Sequence, residues 1–317
     1  MTSATHLDVV VVGSINIDIR LEVDAIPRSG ETVSAAGMQT AAGGKGANQA
    51  VTAARLGRRV AMVGAIGSDD AADGVLRRLQ EERIVTTAVS RREAPTGTAI
   101  VLWERPESTI IVHGGANDTV TDTLVAEHRE LIAGARSVMC QLETPTSALP
   151  AVLAAATGLT LLNPAPAIGP LDRELLAGFD VVVPNRFELG NLAGLDAEPT
   201  SPAEVADAVR AIDVPVDWVV TLGGDGAMVF PRGSAEWVHV PALQVSAVDT
   251  TGAGDSFCAG LLDGLLDGQD LVAATRWATA VAAATTTRHG AMDSLPRREA
   301  VHTLVSSTTN HEEIARQ

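Results

Sequence analysis

The stretch that most constrains the fold and chemistry of this chain is VDTTGAGDSF, residues 248–257. A strand-like run, residues 244–248, precedes it, and an apolar run with helical spacing, residues 257–266, follows it. Gly252 and Gly254 permit a tight turn that leaves backbone N–H groups uncovered. At the start of a helix, such N–H groups favour a bound anion. The pattern therefore predicts a strand, an anion-binding turn and a helix.

Asp255 falls in the first turn of this predicted helix, beside the glycine-rich turn. A carboxylate at that place can take the proton of a substrate hydroxyl while a phosphoryl group is transferred to its oxygen. An aspartate there is also typical of a helix N-cap, and a short glycine motif alone is weak support for a phosphate site. The choice between these two interpretations depends on the rest of the chain.

The composition of the 317 residues favours an α/β protein. Apolar residues make up 46% and aromatic residues 3%, and the abundant Ala and Val suit helices packed on a parallel sheet. The net charge of −16 opposes binding to nucleic acid or to an anionic membrane. Cys140 and Cys258 lie in apolar runs and are predicted to be buried free thiols in a reducing compartment. No targeting or membrane-spanning segment is visible, so we expect a cytoplasmic protein.

Strands and helices alternate along the chain, most regularly after residue 118. The predicted strands are 7–13, 60–66, 137–142, 159–162, 179–183 and 216–222, and the predicted helices are 69–82, 122–132, 146–156, 202–212 and 270–286. This alternation predicts a three-layer, doubly wound α/β fold with a mostly parallel sheet. Polar or glycine residues follow the strands, namely Asn16, Glu143, Asn163, Asn185 and Gly223. Since ligands bind at the carboxyl edge of such sheets, the pattern predicts an enzyme or a binding protein.

The N-terminal third adds β segments that do not fit this alternation. They are 17–23, 33–40, 86–90, 97–103 and 108–113. We expect them to form a small β-sheet lid over the substrate, from segments near 15–41 and 86–115 inserted in a single domain of residues 1–317. The alternative is that they are edge strands of the main sheet. Asn16 and Asp18 alternate with isoleucines, which places both polar side chains on one strand face, where they suit a polyol.

A second glycine-rich stretch, GGKGANQA at residues 43–50, leads into a predicted helix. It is not a Walker loop, because Gln39 stands where the first glycine is needed and Gly46 replaces the Ser or Thr after Lys45. Its open backbone and the side chain of Asn48 suit a neutral, hydroxylated ligand. Lys45 taken alone is typical of a surface lysine.

A third glycine loop, TLGGDG at residues 221–226, follows a predicted strand and leaves N–H groups free to bind phosphates. Asn185 and Glu188 follow the preceding predicted strand and suit phosphate oxygens or a hydrated Mg²⁺. Each of the two is also typical of a helix-capping residue. The sequence contains no His and Cys cluster with the spacing of a zinc site.

Together these motifs resemble those of the ribokinase-like, PfkB-type carbohydrate kinases over essentially the whole chain. Residues 248–257 are similar to the C-terminal signature of that family, and residues 43–50 to its N-terminal signature. Further similar stretches are GSINID at 13–18, QLE at 141–143 and NPAPA at 163–167. The resemblance implies ATP-dependent phosphorylation of D-ribose at its 5-hydroxyl, which yields ribose 5-phosphate.

The resemblance also implies a role for each matching residue. Asp255 would be the general base, beside an anion hole formed by Gly252, Ala253 and Gly254. The sugar would be bound by Asn16, Asp18, Gly44, Lys45, Gly46, Asn48 and Glu143. The nucleotide would be bound by Asn185, Thr221, Gly223, Gly224, Gly226, Gly254 and Thr279. Glu188 would act through Mg²⁺, and a monovalent cation, usually K⁺, would be bound by Asp249, Thr251, Thr285, Arg288, Gly290 and Ser294. The family further implies a homodimer in which the two lids contact each other.

Two other functions remain open at this point. The first is a kinase of the same fold that acts on deoxyribose, another sugar or a nucleoside. The second is a non-catalytic sensor of sugar or nucleotide, which would have no need of a base such as Asp255 beside an anion hole. Thr279, where relatives often have His, and the bulky Phe187 depart from the family pattern on the nucleotide side.

Overall fold

The computed structural model describes residues 6–104 and 107–315. The strands of these residues form a nine-stranded sheet and a four-stranded sheet. In chain order the strands are β1 (Leu7–Val12), β2 (Asn16–Glu22), β3 (Gly37–Gly43), β4 (Val60–Ile66), β5 (Val85–Arg91), β6 (Gly97–Glu104), β7 (Glu107–His113), β8 (Ala135–Cys140), β9 (Leu159–Leu162), β10 (Val181–Val182), β11 (Asp217–Thr221), β12 (Ala227–Phe230) and β13 (Val238–Val240). Arg105 and Pro106, in the predicted lid segment, lie outside the described residues.

Helices connect most of the strands of the larger sheet. In chain order they are α1 (Lys45–Arg55), α2 (Asp70–Glu81), α3 (Asp122–Glu127), α4 (Arg129–Ala133), α5 (Ala148–Ala155), α6 (Arg173–Ala177), α7 (Arg186–Leu192), α8 (Pro202–Ile212), α9 (Ala253–Leu266), α10 (Leu271–Thr286) and α11 (Arg298–Ala315). The predicted helix 122–132 is divided into α3 and α4 at His128.

The larger sheet has the order β13-β12-β11-β10-β9-β8-β1-β4-β5. Its strands pair in parallel from β5 to β11, whereas β12 runs antiparallel to both of its neighbours, β11 and the edge strand β13. From β1 the chain builds outward to β4 and β5, then returns to β8 on the other side of β1. The topological switch point therefore lies between β1 and β8, where open α/β sheets bind their ligands.

The core forms two apolar layers, one on each face of the larger sheet. Within β1, Val10 and Val12 belong to one layer and Val9 and Val11 to the other. This is why β1 is a continuous valine run rather than an alternating pattern, since both of its faces are buried. The predicted three-layer α/β fold with a mostly parallel sheet is confirmed.

Helix α9 is buried on nearly all sides because α10 packs directly against it. A Cβ atom at Gly260 would lie 3.0 Å from Val281, and one at Gly264 would lie 2.9 Å from Ala274. The glycines of α9 and the alanines of α10 thus allow two helix backbones to approach closely. The small side chains of α10 are explained by this contact.

The smaller sheet has the order β3-β2-β6-β7, and we call it the lid sheet. The prediction that residues 86–90 belong to the lid was wrong, because β5 pairs in parallel with β4 at the edge of the larger sheet. An edge strand is exposed on alternate residues just as a lid strand is, so the sequence pattern could not separate the two possibilities. The lid sheet therefore comes from residues 16–22, 37–43, 97–104 and 107–113.

Residues 244–248, predicted as a strand, belong to no strand in the structure. Leu243, Gln244, Val245 and Ala247 line a cavity instead of pairing with a neighbouring strand. The antiparallel strands β12 and β13 and the short helix α6 were not predicted.

Cys140 and Cys258 are free and buried, as predicted. Of the helices that the structure describes, none combines the length and the apolar character that crossing a bilayer requires.

Candidate functional site

Asp255 lies in the first turn of α9, at the carboxyl edge of the larger sheet. Its carboxylate is buried but lines a cavity of about 350 Å³. Asn48 donates from Nδ2 to Asp255 Oδ2 at 2.9 Å, and Gln49 Nε2 lies 3.4 Å from Oδ1. Both partners come from α1, which packs against α9. The carboxylate is therefore held in one orientation by two amides from a neighbouring helix.

The backbone before Asp255 forms a small anion-binding nest. Gly252 has φ +78°, a left-handed conformation that favours glycine. The N–H groups of Gly252, Gly254 and Asp255 donate to no other group within the described part of the chain, whereas the N–H of Ala253 donates to the carbonyl of Thr250 at 3.1 Å. Uncovered N–H groups at a helix N-terminus favour an anion. Of the three predicted anion-hole residues, the two glycines thus have free N–H groups.

The cavity beside Asp255 carries the polar groups that the sequence predicted for a sugar. Its wall includes Asn16 and Asp18 of the lid sheet, Gly44, Lys45 and Asn48 at the start of α1, and Glu143 after β8. Gly46, also predicted to bind the sugar, does not line this cavity, because it packs behind it. A Cβ atom at Gly46 would lie 2.6 Å from the backbone nitrogen of Ser14.

Glu143 organises one end of this cavity, which we call the polar cavity. Its Oε2 accepts hydrogen bonds from Ser14 Oγ at 2.5 Å and from the backbone N–H of Lys45 at 3.0 Å, and Asn16 Nδ2 lies 3.5 Å away. The bond to Lys45 places a carboxylate at the N-terminus of α1, where the helix dipole stabilises negative charge. Glu143 thereby joins β1, β2 and α1 around the cavity.

Several residues that support the site were not predicted. Asn117 is buried and donates from Nδ2 to Asn16 Oδ1 at 2.7 Å, while its Oδ1 accepts from the N–H of Ile15 at 2.9 Å. Gln141 donates to Gln49, which in turn contacts Asp255. These residues fix the orientation of Asn16 and Asp255 from behind. The partners of Asn117 and Gln141 are 101 and 92 residues away in sequence, so no local pattern pointed to them.

Electrostatic coupling perturbs the ionisable groups of the polar cavity. Burial raises the pKa of Asp255 above its ordinary value, although Lys45 and Asn48 favour the charged form. Burial, together with Glu143 and Asp255, raises the pKa of Asp18 to about 7. Burial opposes the charge of Lys45, but the neighbouring carboxylates outweigh it and raise its pKa. Perturbed groups that share a cavity are typical of catalytic sites.

A second cavity of about 260 Å³, which we call the apolar cavity, adjoins the first. Its lining contains the predicted nucleotide residues Thr221, Gly223, Gly224, Gly226, Gly254 and Thr279. The rest of its wall comes from residues 242–245, from Ala247, Thr250, Ala253 and Phe257, and from the small side chains of α10. Thr221, Thr250 and Gly254 line both cavities. A ligand that spans the two would pass beside the nest.

Asn185 and Glu188 form a capping box at the start of α7, which is the alternative considered from the sequence. Asn185 Oδ1 accepts from the N–H of Glu188, and Glu188 Oε2 accepts from the N–H of Asn185, both at 2.8 Å. Both residues also line the polar cavity. Burial raises the pKa of Glu188, since it outweighs the hydrogen bond from Asn185 and the charge of Lys45. A capping role and a ligand-binding role are thus compatible here.

The residues predicted to bind a monovalent cation lie on two adjacent segments. Asp249 accepts hydrogen bonds from the N–H groups of Thr251 and Gly290, each at 3.0 Å. Thr285 and Ser294 are fully buried, and the N–H of Arg288 donates to the carbonyl of Thr285 at 3.3 Å. Within the described residues no three His, Cys, Asp or Glu side chains cluster to hold a metal ion. Any cation here would depend mainly on carbonyl and hydroxyl oxygens.

The arrangement suits transfer of an anionic group to a hydroxyl. It combines a buried carboxylate, an adjacent nest of N–H groups and two cavities of different polarity that meet at that nest. Phosphoryl transfer depends on positioning and on stabilisation of charge, and these groups supply both.

Comparisons with known proteins identify the family of this chain. The model of the pfkB family of carbohydrate kinases matches residues 6–298. A ribokinase of Haemophilus influenzae is 36% identical over 299 residues, which cover 91% of this chain and 95% of that protein. A deoxyribokinase of Salmonella typhi is 32% identical over 304 residues, which cover 92% of this chain and 97% of that protein. A solved structure of Arabidopsis thaliana ribokinase, complexed with ribose and ATP, has a TM-score of 0.84 at 31% identity and covers 95% of this chain and 99% of that chain. The chain therefore belongs to the pfkB family of carbohydrate kinases and is a sugar kinase.

Proposed function

We propose that this sugar kinase transfers the terminal phosphoryl group of ATP to the 5-hydroxyl of D-ribose. The observation that carries the proposal is the position of Asp255, whose carboxylate lines the polar cavity beside the nest of Gly252 and Gly254. Ribokinases among the relatives support the choice of ribose. The ribose and ATP in the Arabidopsis ribokinase structure support the pair of substrates.

In this proposal the polar cavity binds the sugar. Asn16, Asp18, Asn48 and Glu143 offer several hydrogen-bonding groups to a compact, hydroxyl-rich ligand, and Gly44 and Lys45 complete the wall. Asp255 accepts the proton of the attacking hydroxyl as the new bond to phosphorus forms. Its raised pKa makes it a better proton acceptor than an ordinary aspartate.

The apolar cavity binds the adenine end of the nucleotide, next to the small side chains of α10 such as Thr279 and Ala283. The phosphates extend past the loop of Gly223, Gly224 and Gly226 toward the nest of Gly252 and Gly254. Glu188 would hold Mg²⁺, an ion that retains water ligands and binds mainly to the phosphates. The bound ion would neutralise charge on the phosphates during transfer.

We also propose a K⁺ site formed by Asp249, Thr251, Thr285, Arg288, Gly290 and Ser294. The donors are mostly backbone carbonyls and hydroxyls, which are ligands typical of K⁺. The N–H of Asp249 and that of Val248 both donate to the carbonyl of Thr286, so the two segments that carry these donors lie side by side. A cation there would lie close to the loop that leads to the nest.

A homodimer formed through the lid sheet is part of the same proposal, as is a cytoplasmic location. Met38, Ile100 and Ile111 are large apolar residues of the lid sheet and are 70%, 36% and 58% exposed. A contiguous apolar face of this kind suits contact with a second copy of the lid. The free thiols of Cys140 and Cys258 suit a reducing compartment.

2-Deoxy-D-ribose is the second candidate substrate, because a deoxyribokinase is among the similar proteins. A sensor without catalysis is disfavoured by the carboxylate of Asp255 beside the nest. The test is the release of ADP, with and without K⁺, with D-ribose, 2-deoxy-D-ribose, adenosine and uridine as acceptors. The proposal predicts the highest kcat/KM with D-ribose. Faster turnover of deoxyribose or of a nucleoside would identify that compound, instead of ribose, as the substrate. Binding without ADP release would indicate a sensor.

A further inference from the structure

An ion pair joins the lid sheet to the loop that precedes the nest. Arg20 of β2 donates from Nη1 to Asp249 Oδ2 at 3.0 Å, and the two side chains are 19% and 8% exposed. The Arg20 guanidinium also stacks on Trp103 of β6, with Cζ 3.8 Å from the ring centroid. The ring orients the guanidinium, so the pair has a defined geometry rather than that of a loose surface contact.

Asp249 uses the same carboxylate to hold its own loop. Its Oδ1 accepts from the N–H of Thr251, and Oδ2 accepts from the N–H of Gly290 in addition to Arg20. Burial by itself would raise the pKa of Asp249. The hydrogen bonds outweigh it, so the pKa lies below its ordinary value. His289 Nδ1 is 3.9 Å from Oδ2 and its side chain is exposed, whereas Arg20 Nη1 is 3.0 Å from the same oxygen. Gly252, at the start of the nest, follows Thr251 directly.

Strand β2 carries the groups of the polar cavity as well as Arg20. Asn16, Asp18 and Arg20 are spaced by two residues, which places them on one face of the strand. Asn16 and Asp18 line the polar cavity, and Arg20 contacts Asp249 further along. A movement of the lid sheet against the sugar would therefore also move the guanidinium against Asp249.

We propose that Arg20 is a positioning residue that couples closure of the lid sheet over the sugar to ordering of the nest. Contact between the sugar and β2 fixes Arg20. Arg20 then fixes Asp249 and Thr251, and this orders the N–H groups of Gly252 and Gly254. Removal of the guanidinium leaves a mostly buried carboxylate without its cation, which loosens the loop. The activity readout of this proposal rests on the proposed function, whereas the exchange readout does not.

The test measures amide hydrogen exchange of residues 16–22 and 250–255, with and without D-ribose, in the absence of nucleotide and at one KCl concentration. In the second segment the reporting groups are the hydrogen-bonded N–H groups of Thr251 and Ala253. The variants are Arg20→Met, which removes the charge, and Arg20→Lys, which keeps it but loses the planar fork. Arg210→Met is the matched control, because Arg210 forms an exposed ion pair with Asp207 on α8. Far-UV circular dichroism verifies that each variant is folded.

In the wild type, D-ribose is expected to slow exchange in both segments. In Arg20→Met it should slow exchange in residues 16–22 only, and exchange in 250–255 without ligand should rise about tenfold, as for a lost local contact of 1.4 kcal/mol. Arg20→Lys should be intermediate and Arg210→Met unchanged. With D-ribose saturating and ATP varied, kcat of Arg20→Met should fall about tenfold while KM for ATP stays within about twofold.

Equal exchange of residues 250–255 in the wild type and Arg20→Met would overturn the proposal, as would the same increase in Arg210→Met. If Arg20→Met does not fold, the comparison of Arg20→Lys with the wild type decides by the same criterion. A wild type in which D-ribose protects neither segment would contradict the proposed substrate. The ligand-free comparison would still decide whether Arg20 orders the loop.

Discussion

The polar cavity and the apolar cavity meet at Thr221, Thr250 and Gly254, yet opposite kinds of contact form them. The polar cavity has side chains held by hydrogen bonds from a surrounding network, such as Glu143 with Ser14 and Lys45. The apolar cavity is lined by the backbone loop of Gly223, Gly224 and Gly226 and by mostly apolar side chains such as Leu243 and Phe257. In the proposed function, the first arrangement would select a ligand by its hydroxyl positions, and the second would select one by shape. Substitutions in one cavity should therefore leave the ligand of the other nearly unaffected.

The largest effect is expected at the boundary between the two cavities. Asp255→Asn should reduce kcat by at least about 10²-fold, because the amide cannot accept the hydroxyl proton. KM for both substrates should stay within about threefold, since the side-chain shape is kept. Steady-state kinetics measure both quantities. Asp196→Asn, an exposed substitution, is the control, and near-normal turnover of Asp255→Asn would rule out the base.

In the polar cavity, Glu143→Gln removes the charge that accepts hydrogen bonds from Ser14 and from the Lys45 backbone. Loss of charge-assisted bonds of this kind should raise KM for the sugar about 30-fold, with KM for ATP changed less than about twofold. Kinetics with each substrate varied in turn measure the two values. Equal changes in both KM values would mean that the two cavities are not independent.

In the apolar cavity, Ala283→Leu should raise KM for ATP instead of KM for the sugar. Ala283 lines this cavity from α10, so a larger side chain fills space that the nucleotide needs. We expect KM for ATP to rise about tenfold, with KM for the sugar unchanged. Ala203→Leu, on the exposed face of α8, controls for the added volume. An unchanged KM for ATP would place the adenine elsewhere.

The smallest expected effect is on stability and depends on pH. The pKa of Asp18 is raised from 3.8 to about 7, so the folded state binds its proton more tightly than the unfolded state does. Stability from this group is therefore fully present below pH 3.8 and falls as the pH rises toward 7. Asp18→Asn should remove this dependence and raise Tm at pH 8 by about 2 °C. Calorimetry from pH 4 to pH 8, which covers the range in which Asp18 titrates, measures Tm for the wild type and the variant. A decrease in Tm of the variant at pH 8 would contradict the assignment.

Local sequence signals located much of the fold. The predicted bounds of β4, β9 and α8 coincide with those observed, because each is a continuous apolar or amphipathic run between clear turn signals. Helix α8 in particular begins with a Ser201–Glu204 capping box and Pro202. The glycine motif also located the nest and its aspartate, because the left-handed conformation of Gly252, with φ +78°, favours glycine.

Local signals failed where distant segments decide the outcome. The alternation in 244–248 indicated a strand, but those residues line a cavity instead of pairing. The pairing of β5 with β4 rather than with the lid sheet has no local signature. Asn117 orients Asn16 across 101 residues of sequence, and Arg20 reaches Asp249 across 229. The support around the site is thus tertiary, and single-sequence patterns do not encode it.

The most direct test of the central claim is a crystal structure with D-ribose and a non-hydrolysable ATP analogue. The account predicts that an Asp255 carboxylate oxygen lies about 2.7 Å from the 5-hydroxyl oxygen. It also predicts that the terminal phosphate accepts hydrogen bonds from the N–H groups of Gly252 and Gly254 at about 3 Å. A sugar whose hydroxyls all lie beyond hydrogen-bonding distance of Asp255, or a terminal phosphate bound away from the nest, would contradict it.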